Sequence, residues 1–332
     1  MPVEALTFGK RTATADLAML AFDEFAALPH TVTLFGMSGV GKTVLSTSLR
    51  QSSDWFHYSA DYRIGTRYLV EHILDNVKFK IMKMDDPFVA NLLRSDSIYI
   101  NHNISVDNLD PVSTYLGMYG DTRKGGLDKA AFLERQDLYH RAEIESMKDV
   151  EHFIGKSWRI YRCRDFVNDT SGSLCEIVDL EDENDPVIAA LRKQTIIVYL
   201  KAGETYEEQL KERARTHPKP MFYNPAFITG YLEEAPDDGS EIDPLEFARS
   251  LFPRLLEFRK PRYQALADKF GFTIDAAGLF GANIRDAPVP DAERFLRVLY
   301  ESIVDQSAAS EVKAANAELY LQACEERRRQ HQ

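Results

Sequence analysis

Apolar positions along this chain follow two periods. Short apolar or alternating runs occur at Thr31–Phe35, Trp55–Ser59, Asp165–Asp169, Gln194–Leu200 and Phe270–Asp275, and each reads as a strand. Between them the spacing becomes helical. Residues 14–28 place Leu17, Leu20, Ala21 and Phe25 on one face, with Thr14 as cap and Pro29 as stop. Ile64, Tyr68, Leu69, Ile73 and Val77 repeat at three and four, Glu204–Thr216 is a charged helix, and Phe295, Leu299 and Ile303 mark another helix over 289–304. The tail to Gln332 is Ala-rich, polar and helical. Strands alternating with helices predict an α/β fold, a parallel sheet wrapped by helices.

The stretch 78–160 breaks that alternation. Asp85-Asp86-Pro87 starts a helix carrying Phe88, Leu92 and Leu93, and Ser97–Ile100 fits either a strand or the tail of that helix. Asp107–Gly126, with Pro111, Gly117, Gly120, Gly125 and Gly126, reads as loop with a short helix. Leu127–Ile160 is long and periodic with charges on one face. The expected organisation is an N-terminal helical segment over 1–30, a core over 31–77 and 161–280, an inserted helical subdomain over 78–160, and C-terminal helices over 281–332.

Between the first strand and the helix through Leu45 and Leu49 stands Gly36-Met37-Ser38-Gly39-Val40-Gly41-Lys42-Thr43. This is G-x-x-x-x-G-K-T, the P-loop, in its strand-loop-helix context. Glycines let the backbone curl so that successive N–H groups and the helix N-terminus face negative charge. The expected nucleotide contacts are Gly36, Ser38, Gly39, Val40, Gly41, Lys42, Thr43 and Val44. Lys42 reaches the β- and γ-phosphates, and the Thr43 hydroxyl ligates Mg²⁺. The bland alternative is a glycine-rich turn without nucleotide. No N-K-x-D-type base reader is present, so ATP is the expected nucleotide.

Composition narrows the partners. The net charge of -12 over 332 residues argues against a nucleic-acid binder, which needs a basic face. Cys163, Cys175 and Cys324 have neither zinc-ligand nor framework spacing and fit free thiols in a reducing cytosol, so a cytoplasmic protein is expected. Glu4, Lys10, Arg11 and Asp16 precede any apolar run, unlike a signal peptide, and no stretch of about 18 apolar residues predicts a membrane span. The acidic clusters Asp179–Asp185 and Glu233–Asp243 read as solvated loops.

Four stretches together resemble the shikimate-kinase and gluconate-kinase branch of small P-loop kinases. After the P-loop comes Ser59-Ala60-Asp61-Tyr62-Arg63-Ile64, similar to D-x-D-x-x-I, with Ser59 in place of the first acid. Asp169-Thr170-Ser171-Gly172-Ser173 stands where the family has T-G-G-G, retaining one glycine. Arg213, Arg215 and Lys219-Pro220 follow a strand and helix, as in the family's arginine-bearing lid. Arg259-Lys260-Pro261-Arg262-Tyr263 through Ala267-Asp268 resembles R-x-P-x-Y-x-x-x-A-D. The resemblance covers about half the chain, roughly 30–77 and 163–276. Members are usually about half this length, so the helical block and the C-terminal extension are departures.

The resemblance implies an ATP-dependent kinase acting on a hydroxyl of a small anionic metabolite. Asp61 then orients the acceptor hydroxyl; its other reading is a helix cap. Asp169 takes up the metal role that Ser59 leaves open, or else shapes a turn. Arg63 and Gly172 line the acceptor pocket, Arg259 anchors an anionic group with its planar fork, and Arg213 or Arg215 serves as the lid arginine. For Arg63 an exposed arginine is the equal alternative, and for the lid pair the alternative is a charged helix face. The competing function is an ATPase or nucleotide-dependent switch that holds a protein partner through the helical insertion.

Overall fold

A computed structural model of the chain describes residues 20–52, 54–182, 184–233, 235–281 and 289–330. Five parallel strands form one sheet: β1 (Thr31–Phe35), β2 (Trp55–Ser59), β3 (Asp165–Asp169), β4 (Ile196–Lys201) and β5 (Phe272–Asp275), in the order β2-β3-β1-β4-β5. The strands β1, β2 and β3 coincide with the predicted runs; β4 and β5 begin two residues later than expected, and β4 ends one later. The β1 and β3 strands are buried at every position, as expected for a parallel sheet covered on both faces.

This order puts β1 between β3 and β4. Its carboxyl end therefore opens onto the crevice where successive connections leave in opposite directions, the usual ligand position in such sheets. The P-loop leaves β1 at that point and runs into the helix Lys42–Ser52, which lies on β2 and β3. An α/β architecture of the P-loop type follows from strand order and loop together.

The block after β2 is helical. The short helix Ala60–Arg63 leads into a wide turn, Ile64–Tyr68, in which Leu69 N–H reaches back to the Ile64 carbonyl at 2.8 Å. Helices Val70–Met82, Pro87–Arg94, Asp110–Leu116, Lys129–Lys148 and Val150–Lys156 follow. Residues 98–100 are neither strand nor helix, because no neighbouring strand is available to pair with them. Ile64, Leu69, Ile73, Ile104, Val112, Leu116, Tyr139 and Phe222 form a second small core that holds this block over the end of β2.

The longest helix, Pro244–Phe270, is absent from the sequence reading because Pro253 and Pro261 interrupt it. Both prolines lie on its exposed side, so each forfeits one backbone bond without disturbing the packed stripe Phe247, Leu251, Leu255, Arg259, Tyr263 and Leu266. Helices Ala292–Ala309 and Glu311–Gln330 form a hairpin on the sheet. From the second of these, Arg327 Nη1 donates to the Gln194 carbonyl at 2.7 Å and to Thr31 Oγ1 at 2.5 Å. The expected helix over 14–28 is seen at Phe22–Ala26, and its first part lies outside the described residues. Among the described residues no helix is long and apolar enough to cross a membrane.

Candidate functional site

The P-loop is closed by backbone geometry that side chains would prevent. Gly36 has φ +141°, and a Cβ there would lie 2.6 Å from the Leu200 carbonyl oxygen of β4. Gly39 has φ +93°, and a Cβ on it would meet Leu210 Cδ2 at 3.0 Å and Arg213 Nη1 at 3.2 Å. The second contact fixes the position of Arg213, which lies directly over the loop.

Lys42 folds back across the loop it ends. Its Nζ donates to the Gly36 carbonyl at 2.8 Å and the Met37 carbonyl at 3.3 Å, and the side chain is 6% exposed. Burial lowers its pKa from the ordinary lysine value; Asp169 and Asp61 act against that, while Arg259 and Lys219 add to it. Those four residues mark out the surroundings of the loop. Thr43 and Val44, at the helix start, are both exposed.

Asp169 ends β3 level with Leu34 of β1 and Ser59 of β2, so its carboxylate stands beside the P-loop. Its Oδ2 is 3.4 Å from His57 Nε2. The turn after it presses on the loop: a Cβ at Gly172 would be 3.0 Å from Ser38 N. Tyr263, from the long helix, donates to the Gly172 carbonyl at 2.5 Å.

Asp61 lies in the first turn after β2, half-buried. The cap of that turn is Ser59, whose Oγ accepts from Tyr62 N at 3.3 Å, so the carboxylate of Asp61 is left for other work. Tyr139 donates to its Oδ1 at 3.0 Å. Burial first and Asp169 second raise its pKa above the usual carboxylate value, against Tyr139, Lys42 and Lys219. Lys219 belongs to the same cleft. Burial and Arg213 lower its pKa, and Asp61 opposes them.

The two arginines expected in a lid are separated by the fold. Arg213 lines a pocket of about 240 Å³ with Ser38, Leu210, His217, Lys219 and Phe252. Arg215 is exposed on the outer face and paired with Glu212 through Nε at 2.8 Å and Nη2 at 2.7 Å.

Two expected acceptor contacts are found elsewhere. Arg63 donates to Asp149 Oδ2 at 2.7 Å and lies over the Phe153 ring, committed to the helical block. Arg259 is 1% exposed, because the long helix carries it inward beneath the loop. Its Nε is ion-paired with Glu176, and Nη2 donates to the Phe222 carbonyl at 2.9 Å. The guanidinium fork therefore has an internal carboxylate as its partner, in place of the anionic acceptor expected for it.

Two carboxyl groups escaped the sequence reading. Glu176 follows the turn after β3 and also accepts from Asn224 N at 2.7 Å. Glu143 lies on Lys129–Lys148, a helix read as having a charged solvated face. Yet Phe132, Gln136, Tyr139, Glu143, Ser146 and Met147 form its buried stripe. The three-and-four spacing of that stripe, with a carboxyl and an amide inside it, was the available signal. Glu143 is hydrogen-bonded to the hydroxyls of Ser171 and of Ser173, the latter at 2.7 Å. Burial pushes its pKa up to about 8; Ser173 opposes the rise and Asp61 adds to it.

No family model matches the chain, and no curated protein matches it. Among solved structures, a shikimate kinase from Bacteroides thetaiotaomicron is similar at 13% identity and a TM-score of 0.32, over 84% of this chain and 97% of that one. Fold class rests on the strand order and the loop geometry, and at that TM-score the likeness adds nothing to the site.

Proposed function

We propose that the chain is an ATP-dependent kinase that passes the γ-phosphate to a hydroxyl of a small anionic acceptor. The observation that carries this reading is that Arg213 and Lys219 share a pocket with Ser38 of a curled P-loop, with Lys42 and Asp61 close enough to Lys219 and to each other to interact by charge. In this reading residues 31–77 and 161–280 are the kinase core, and 78–160 forms a wall of the acceptor side.

Phosphoryl transfer asks a protein for alignment and charge stabilisation more than for covalent chemistry. The loop N–H groups and Lys42 hold the phosphate chain, with Lys42 leaving the two carbonyls that now accept from it. The donor set fits Mg²⁺. Thr43 offers an exposed hydroxyl, and Asp169 offers a carboxylate at the adjacent strand end. When bound, the ion neutralises charge on the phosphate oxygens. Asp61 accepts the proton of the acceptor hydroxyl, and its raised pKa favours that transfer. Arg213 stabilises charge on the transferred group from above Gly39. Lys219 supplies the cation for the acceptor's anionic group that Arg259, held by Glu176, does not. Gly172 keeps the acceptor-side turn close to Ser38.

The test is transfer of labelled γ-phosphate from ATP to a panel of hydroxylated carboxylates and phosphate esters. A labelled acceptor supports the reading, and labelled inorganic phosphate alone counts against it. A second reading, a nucleotide-dependent switch with a protein partner, is favoured by one observation. Phe79, Met84, Phe88 and Tyr99 are exposed apolar side chains in the helical block, between 58% and 88% accessible. A partner captured with an ATP analogue and lost with ADP supports it.

A further inference from the structure

A second cavity, sharing no lining residue with the one that Arg213 lines, adjoins the P-loop at Thr43 and Val44. Thr43 and Val44 open the helix after the loop, and Thr47 and Gln51 follow on the same face at successive turns. The opposite wall is the turn Ser105–Asn108 of the helical block. Two backbone bonds between Ser105 and Asn108, each 3.1 Å, close this turn, and Val106 and Asp107 stand at its tip. Val289 forms the third side. The space is about 460 Å³, within the range of about 300–1,000 Å³ usual for small-molecule sites.

Its lining has a definite chemistry. Val44 and Val289 are 41% and 46% exposed, and with Val106 they offer apolar flanks for a flat ring. The side chains of Thr47, Gln51 and Asp107 have no hydrogen-bond partner among the described residues. Among the described residues no lysine or arginine lines the cavity and one carboxylate, Asp107, does, and that charge disfavours a phosphate or an anionic acceptor. A carboxylate accepts from two vicinal hydroxyls, and an amide reads the donor and acceptor edge of a heterocycle.

We propose that this cavity holds the nucleoside of the nucleotide whose phosphates occupy the loop, with Asp107 reading the ribose hydroxyls and Gln51 the base edge. The inference rests on the phosphate-binding reading of the loop given above. It gives the helical block a direct part in nucleotide selection, through a turn more than sixty residues from the P-loop. Thr43 is the seam where the phosphate and nucleoside halves meet.

Calorimetric titration of the full chain with Mg·ATP, Mg·dATP and Mg·tripolyphosphate separates the two halves. The wild type binds ATP tighter than tripolyphosphate by about tenfold or more, equivalent to at least one pocket-sized contact set. Thr47→Trp, which fills the cavity, lowers ATP affinity to that of tripolyphosphate and leaves tripolyphosphate unchanged. Asp107→Ala, at an exposed position of the turn, removes the preference for ATP over dATP. Equal affinity of the wild type for ATP and tripolyphosphate overturns the nucleoside site and leaves the phosphate loop standing. An unchanged ATP to dATP ratio in Asp107→Ala overturns the role of that residue. Binding of none of the three ligands overturns the loop reading and this inference with it.

Discussion

Arg259 and Glu176 form an ion pair sealed from solvent, with side chains 1% and 0% exposed. The pair joins the long helix to the turn after β3. Through the Phe222 carbonyl and Met37 Sδ, the same guanidinium also touches the segment after the helix Glu204–Thr216 and the P-loop. Removing one partner leaves a buried charge uncompensated, which costs about 3–5 kcal/mol. Arg259→Met is therefore expected to lower the unfolding free energy by that amount in denaturant titration. Adding Glu176→Leu should recover most of the loss, since paired apolar replacements are often tolerated. A single variant as stable as the wild type would show that the arginine is not structural and would return it to the acceptor site.

Among the described residues, Lys42 donates to two loop carbonyls and otherwise feels longer-range charge. Lys42→Ala should change the unliganded melting temperature little. It should, however, abolish the stabilisation by Mg·ATP, which at 100 times the dissociation constant is about 2.7 kcal/mol for the wild type. A thermal shift that survives in the variant would contradict phosphate binding by this loop.

Arg213 and Arg215 are two residues apart in sequence and differ in environment. Arg213 contacts the loop over Gly39, whereas Arg215 is paired on the surface with Glu212. If Arg213 stabilises charge during transfer, Arg213→Ala lowers kcat by about a thousandfold with a modest change in KM. Arg215→Ala removes an exposed pair that solvent screens, and leaves kcat within about twofold. Equal losses in the two variants would mean that the helix acts as a whole.

β4 was legible because a parallel strand buried on both faces appears as a nearly unbroken apolar run, here over 196–200, and the other strands because short apolar or alternating runs stand between helical stretches. The loop was legible because its glycines and lysine are contiguous. What the sequence hid was partnership at a distance. Arg259 lies 83 positions from Glu176, and Glu143 lies 28 positions from Ser171. A carboxylate in a heptad-like stripe looks the same whether it faces solvent or a hydroxyl. Pro253 and Pro261 concealed the long helix because a proline on an exposed face and one that ends a helix are written alike.

Glu143 gives a pH signature that tests its burial directly. Its folded carboxyl is pushed up to about 8, while the unfolded chain titrates near the ordinary glutamate value of 4.5. Between those values the folded state keeps a proton that the unfolded state has released. Stability therefore falls as pH rises through this window, and the loss is complete above about 8. Glutamine matches the protonated acid in shape and still meets the hydroxyls of Ser171 and Ser173, but it carries no charge at any pH. Glu143→Gln should accordingly melt with the wild type near about pH 5 and above it near about pH 9, with the gap opening progressively in between. Parallel melting curves across that range would place the Glu143 carboxylate in water or beside a cation in solution.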